Sequence, residues 1–222
     1  MSRDRIAVWS WSLDADPTPS EALLSEDEKA RGRSFVAAHH RRRFVAARSR
    51  LRSLLGQHLD IDPASVVFEL NAYGKPRVVQ APSVHFSLSH SGDQALLALS
   101  DTLVVGADLE QVRPLDHLEL ARRNFHPDEV AAIESQPSES GQRQAFFRIW
   151  TLKEAVVKAL GVGLSLPLDS FAVSIATSPP AMLVSPEDSP PVWWLQQAMT
   201  GDYCRALVAP GGVDVELIQR AV

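Results

Sequence analysis

Between Gln142 and Gly161 the chain carries a helix that is apolar around most of its circumference, and this segment limits the possible folds more than any other. At about 100° per residue, Ala145, Ile149, Leu152, Val156 and Leu160 form one apolar arc. Trp150, Glu154 and Lys158 form a ridge on another side, and Gly161 takes the position that ends the helix. Such a helix has to lie between layers of structure, so its charged ridge borders a cleft. The bland reading of that ridge is a Glu154–Lys158 surface pair, worth roughly 0.2–0.5 kcal/mol. Lys153 is different. It sits in or beside the apolar arc, where an ammonium must snorkel to water or meet a buried anion.

A second constraint comes from Leu103 to Glu110, which reads as a strand. Alternate residues of a strand share a face, so Leu103, Val105, Ala107 and Leu109 point to the core and leave Asp108 and Glu110 together on the other side. Two carboxylates one strand repeat apart, about 6–7 Å, repel by roughly 2–3 kcal/mol at an effective dielectric near 20. A compensating charge is expected. Mg²⁺, which takes few carboxylates plus phosphate and water oxygens, fits better than a caged metal. Two solvated acids at a strand end are the alternative.

A third motif is Phe86-Ser87-Leu88-Ser89-His90-Ser91-Gly92. Its three hydroxyls and one imidazole could donate to a phosphate; a plain hairpin turn explains it equally well. A serine hydrolase is a poor reading, because neighbouring Ser and His in a strand point to opposite faces and no Gly-x-Ser-x-Gly elbow is present.

Charge is uneven. The net charge is −5, yet nine of the 22 Lys and Arg residues fall between Lys29 and Arg52, a stretch without a single acid. A basic block on an acidic protein points to an anion site or to a solvated cationic helix face. Nucleic acid is not expected, since Phe35 and Phe44 fit core positions better than base-stacking ones. Only four lysines occur, and Lys75, Lys153 and Lys158 lie in or beside the motifs named here.

The 222 residues, 45% hydrophobic and 22% charged, suit one large domain or two small ones. No apolar run approaches the roughly 18 residues of a membrane helix, and the first residues offer no secretory h-region. The lone Cys204 suits a reducing compartment. A cytoplasmic protein without membrane association is the expectation. Helices are expected over 20–33, 37–59, 115–125, 127–135 and 142–160. Strands are expected over 66–69, 85–89, 94–99, 103–110, 165–175, 192–195 and 203–208. A boundary near 100–102 divides the chain into an N-terminal part, 1–102, and a C-terminal part, 103–222.

Taken together, Tyr73-Gly74-Lys75-Pro76, Phe86-Ser87-Leu88-Ser89-His90-Ser91, Gly106-Ala107-Asp108-Leu109-Glu110 and Trp150-Thr151-Leu152-Lys153-Glu154-Ala155-Val156-Val157-Lys158-Ala159 resemble the Sfp-type 4'-phosphopantetheinyl transferases. The order and spacing agree over roughly residues 20–175. The resemblance implies an α+β fold of two similar α/β-type halves related by a pseudo-twofold, with coenzyme A between them, acting as a monomer. It implies transfer of 4'-phosphopantetheine from coenzyme A to a serine of an apo acyl or peptidyl carrier protein, releasing 3',5'-ADP. By the same resemblance Asp108, Glu110 and Glu154 hold Mg²⁺, Lys153 and Lys158 neutralise phosphate oxygens, and Lys158 protonates the leaving group. Ser89 and His90 contact the 3'-phosphate, Tyr73, Gly74, Lys75 and Pro76 the adenine side, and Arg31 and Arg43 further phosphates. The base for the serine is Glu154. The alternative is a coenzyme A or nucleotide binding module without catalysis.

Overall fold

β4 (His85–Ser91) and β5 (Gln94–Ser100) form an antiparallel hairpin in which Ser91 faces Gln94. The turn between them contains Gly92 at φ +57°, a left-handed conformation that a side chain disfavours. The computed structural model describes residues 4–15, 19–211 and 214–220. In it β1 (Asp4–Ser12) lies antiparallel to β5, and β11 (Val215–Arg220) lies parallel to β1, giving the order β11-β1-β5-β4. A second antiparallel sheet has the order β6-β10-β9, from β6 (Gly106–Gln111), β9 (Trp193–Thr200) and β10 (Tyr203–Pro210). Two small hairpins, β2 (Phe68–Leu70) with β3 (Pro76–Val78) and β7 (Ala172–Ser174) with β8 (Ala181–Val184), complete the strands. β1 and β11 are not among the expected strands, and their pairing crosses the boundary near 100–102.

The helices are α1 (Glu26–Arg33), α2 (Ala38–Leu59), α3 (His117–Asn124), α4 (Pro127–Glu134) and α5 (Glu139–Leu160). α1 is shorter than the expected helix over 20–33. Ser25 and Glu28 close a capping box that fixes its start, and the residues before it form only a 3₁₀ turn. Three apolar clusters order the layers. α2 packs Leu51 and Leu55 against Trp9, Leu97 and Leu99 of the first sheet. α5 packs Ile149, Leu152 and Val156 with Ala206 and Val208 of the second. The helix-free faces of both sheets meet each other through Ile6, Val8, Leu96, Ala107, Leu109 and Leu207.

The sheets join along β4 and β6, and the join is made by side chains. Ser87, Ser89 and Ser91 project from one face of β4, and their hydroxyls accept the backbone N–H groups of Ala107 (2.9 Å), Leu109 (3.3 Å) and Gln111 (3.1 Å). The serine ladder stands in for the carbonyls of a neighbouring strand and satisfies an otherwise orphaned edge.

Residues 165–175 are not one strand. Pro167 interrupts the run, 3₁₀ turns occupy Gly163–Ser165 and Leu168–Ser170, and only Ala172–Ser174 pairs as β7. The carbonyls of Leu168 and Phe171 accept from the Lys153 ammonium instead.

Candidate active site

α2 and α5 flank a cleft of about 480 Å³ above the β4–β6 seam. From α5 come Glu154 and Lys158, from β4 His90, and from the loop before β3 Tyr73, Gly74 and Lys75. The ridge foreseen on α5 therefore does face a cleft. Gly106 sets how closely α5 approaches. A Cβ there would fall 1.9 Å from the carbonyl oxygen of Ala155 and 2.7 Å from the Ala159 nitrogen. Only a glycine lets the helix rest directly on the start of β6.

That contact brings the ridge to the acids. Lys158 Nζ lies 2.6 Å from Asp108 Oδ1 and donates to the Ser89 hydroxyl at 2.9 Å. Asp108, 3% exposed, is also bonded by Ser89 at 2.9 Å. Among the described ion pairs Lys158 is joined to Asp108 and not to Glu154, so the bland helical pair is not the one formed. Glu110 accepts from Ser91 at 2.8 Å. Burial pushes the carboxyls of Glu110 and Glu154 above their ordinary range, and the Asp108 charge pushes both the same way. Lys158 opposes this at both residues, and Glu110 adds to it at Glu154. Lys158 thus acts on three carboxylates and bonds one of them, Asp108.

The other oxygen of Asp108, Oδ2, is buried without a hydrogen-bond partner. An orphaned carboxylate oxygen beside two acids that resist ionisation fits a hard divalent cation with oxygen preference. As the side chains lie, no three His, Cys, Asp or Glu residues among those described are gathered closely enough to ligate a metal.

The loop carrying Lys75 is tied to the end of α5. Asn71 Nδ2 donates to the Gly161 carbonyl at 2.8 Å, while Asn71 Oδ1 accepts the N–H groups of Tyr73 and Lys75, each at 2.9 Å. Lys75 Nζ reaches the Ala159 carbonyl at 2.7 Å, and burial brings its pKa down to about 8. Gly161, at φ +69°, leaves room for the lysine stem; a Cβ there would meet Lys75 Cδ at 2.7 Å. His90 points to the opposite face from the serine ladder and into the cleft. Desolvation lowers its pKa, and Lys158 lowers it further, so the imidazole is neutral at pH 7.

Several expected site residues lie elsewhere. Lys153 is a correction: it does not line the cleft, because its side chain, 0% exposed, turns into the core on the far side of α5. There it pairs with the buried Glu129 at 2.8 Å, donates to the Leu168 and Phe171 carbonyls, and lies 4.0 Å over the Phe171 ring. The buried anion demanded by its place in the apolar arc is Glu129. Ser89 belongs to the seam, its hydroxyl engaged by Asp108, Lys158 and the Leu109 N–H. Arg43 is held by both oxygens of Asp14 (2.5 and 2.9 Å) and by the Gly92 carbonyl (2.8 Å). Arg31 is exposed, its guanidinium 5.4 Å from the centre of the Phe35 ring. Neither arginine lines the cleft.

Arg48 does line it, and sequence reasoning assigned it no role there. Its signal was its place in the inward register of α2 with Phe44 and Leu51. Arg48 and Arg52 both bond Glu28, at 2.6 Å each. Burial would raise the Glu28 carboxyl, yet Arg48, the Ser25 N–H and Arg52 together hold it below its ordinary value. Part of the basic block is thus structural.

Comparison with known proteins bears on both halves of this cleft. Residues 104–208 match the 4'-phosphopantetheinyl transferase superfamily, and residues 11–102 match the 4'-phosphopantetheinyl transferase N-terminal family. The 4'-phosphopantetheinyl transferase HetI of Nostoc sp. is 39% identical over 217 residues, covering 94% of this chain and 89% of its own. The 4'-phosphopantetheinyl transferase psf-1 of Bacillus pumilus is 35% identical across 76% of this chain and 71% of its own. The 4'-phosphopantetheinyl transferase Sfp of Bacillus subtilis is 32% identical across 77% of this chain and 80% of its own.

Proposed function

The chain belongs to the 4'-phosphopantetheinyl transferase family, and on that premise we propose how its cleft carries out the transfer of 4'-phosphopantetheine from coenzyme A to a serine of an apo carrier protein. The observation that supports this reading is the Lys158–Asp108 pair, with the Asp108 charge also acting on both Glu110 and Glu154. Asp108, Glu110 and Glu154 are the residues that would hold Mg²⁺, and the unbonded Asp108 Oδ2 supports the choice. When bound, the ion supplies positive charge against the diphosphate.

Transfer breaks the diphosphate of coenzyme A at the phosphorus bearing pantetheine, forms a bond from the serine oxygen to it, and releases 3',5'-ADP. Little covalent chemistry falls to the protein, which must position the groups and neutralise charge. Lys158 supplies an ammonium to the phosphate oxygens and a proton to the leaving oxygen. Glu154 takes the serine proton; its raised pKa makes it a stronger base than an ordinary carboxylate. Lys75, Tyr73, Gly74 and Pro76 bound the nucleotide end, with neutral His90 donating to the 3'-phosphate. A small apolar groove containing Leu115, Leu120, Phe147 and Trp150 runs to Glu110 and offers the carrier serine its approach.

No helix among the described residues is long and apolar enough to cross a membrane. Cys204 is buried, its thiol pushed up to about 11, and a lone free thiol suits work in the reducing cytoplasm. A non-catalytic binding module is not favoured, because the similar relatives are named transferases. Calorimetric titration of coenzyme A tests the cleft assignment. Affinity should strengthen severalfold with Mg²⁺ and lose that dependence in Asp108→Asn. Binding indifferent to Mg²⁺ would remove the metal role from these acids.

A further inference from the structure

The apolar layer between the two sheets opens at one end into a groove of about 370 Å³ that shares no lining residue with the cleft. Ser10 of β1, Gln94 of β5, Leu109 of β6, Thr200 of β9, and Tyr203 and Arg205 of β10 contribute to it. Arg205 pairs in register with Leu109 on one side and Ala198 on the other, and so shares the helix-free face with Leu207 and Leu109. It is partly buried, yet its side chain forms no hydrogen bond or ion pair among the described residues, and its Nε is buried and unbonded. Arg52 and Arg48, by contrast, are paired with Glu28, and Arg43 with Asp14.

No acid lines the groove. Of the acids next to lining residues, Asp93 is already engaged by the Tyr203 hydroxyl at 2.6 Å and by Gln94 at 3.1 Å, and Asp202 is exposed, outside the groove. An Nε–H withdrawn from water without an acceptor is costly, and the planar guanidinium fork matches an oxyanion in two parallel bonds. The hydroxyls of Ser10 and Thr200 stand at the rim, and Leu109 and Ala95 supply an apolar wall.

We propose that this groove binds a small organic oxyanion, a carboxylate or a phosphate monoester on a compact apolar body, with Arg205 as its anchor. Occupancy bridges β1 and β5 of one sheet to β9 and β10 of the other, and so clamps the two sheets where the interlayer ends.

The test uses the full-length protein labelled with ¹⁵N and three probes of one shape: benzoate, phenyl phosphate and the neutral benzamide. Benzoate or phenyl phosphate should shift the Arg205 Nε–Hε signal and the amides of Thr200 and Gly201 to saturation. Whichever probe does so assigns the oxyanion class. Affinity should fall roughly tenfold or more in Arg205→Met, in line with loss of a charge-assisted pair, and benzamide should leave the signals in place. Because Arg205 has no protein partner to lose, Arg205→Met should melt no lower than the parent and transfer at the same rate. Shifts confined to the His90 and Lys158 side, equal response to benzamide, or a marked fall in melting temperature in Arg205→Met would each overturn the proposal. The outcome is independent of the transfer reaction, because the reporters lie outside the cleft.

Discussion

Replacing Glu154 with glutamine should stop transfer and at the same time make the metal-free fold more stable. Glu154 shares its surroundings with Asp108 and Glu110, and Lys158 is the one cation bonded among them. Two carboxylates roughly 7–10 Å apart repel by about 2 kcal/mol at an effective dielectric near 20. Lys158 offsets about half of that, leaving a penalty near 1 kcal/mol that a neutral amide removes. For a chain of this length such a gain raises the melting temperature by about 2–4 °C. The pH dependence follows from the raised carboxyl. Below its ordinary value of 4.5 both folded and unfolded chains hold the proton, and Glu154 costs nothing. As pH rises through the higher folded value, the native state gives up a proton that the unfolded chain has already lost, so stability falls and then levels. The gain in Glu154→Gln should therefore be full at pH 8 and shrink toward zero as pH approaches 4.5. Calorimetric melting of both proteins across that range, with and without Mg²⁺, reads it directly. Mg²⁺ should stabilise the parent more than the variant. A lower melting temperature in Glu154→Gln, or a gain that ignores pH, would refute the picture of crowded carboxylates.

Lys153→Met should cost about 3–5 kcal/mol in urea unfolding, because it strands Glu129 as a buried charge, while the surviving folded enzyme keeps its KM for coenzyme A. A raised KM at parental stability would return Lys153 to the phosphates. Gly106→Ala has to force α5 off β6; a loss of about 3 kcal/mol is expected, together with loss of transfer in the protein that still folds, measured by unfolding and turnover side by side. Lys75, with a pKa of about 8, is charged below that value and neutral above it. KM for coenzyme A should rise between pH 7 and 9, and Lys75→Met should flatten the profile.

The face assignments on β6 and α5 were legible because they rest on local periods: alternation put Asp108 and Glu110 opposite Ala107 and Leu109, and the helical repeat set Glu154 and Lys158 on one ridge. The partner of Lys158 was not legible. The Asp108 bond depends on how closely α5 lies on β6, which Gly106 controls through backbone contacts some 50 residues away. Lys153 shows the same division. Its demand for a buried anion followed from the apolar arc, but Glu129 enters only through the packing of α4 on α5. β1 and β11 escaped notice because their pairing joins opposite ends of the chain, and neither has a neighbouring hairpin turn to mark it. The serines of β4 look like phosphate donors in sequence and prove to be seam acceptors, since only the approach of β6 reveals what they bond.

The central claim is that acids from β6 and α5 jointly grip a cation that serves the diphosphate. Intact-mass analysis of an apo carrier protein incubated with this enzyme and coenzyme A is the most direct measurement. With Mg²⁺ the carrier should gain one phosphopantetheine on serine, and the gain should vanish with a chelator, in Asp108→Asn and in Glu154→Gln. Undiminished transfer after the metal is removed, or in either variant, would contradict it.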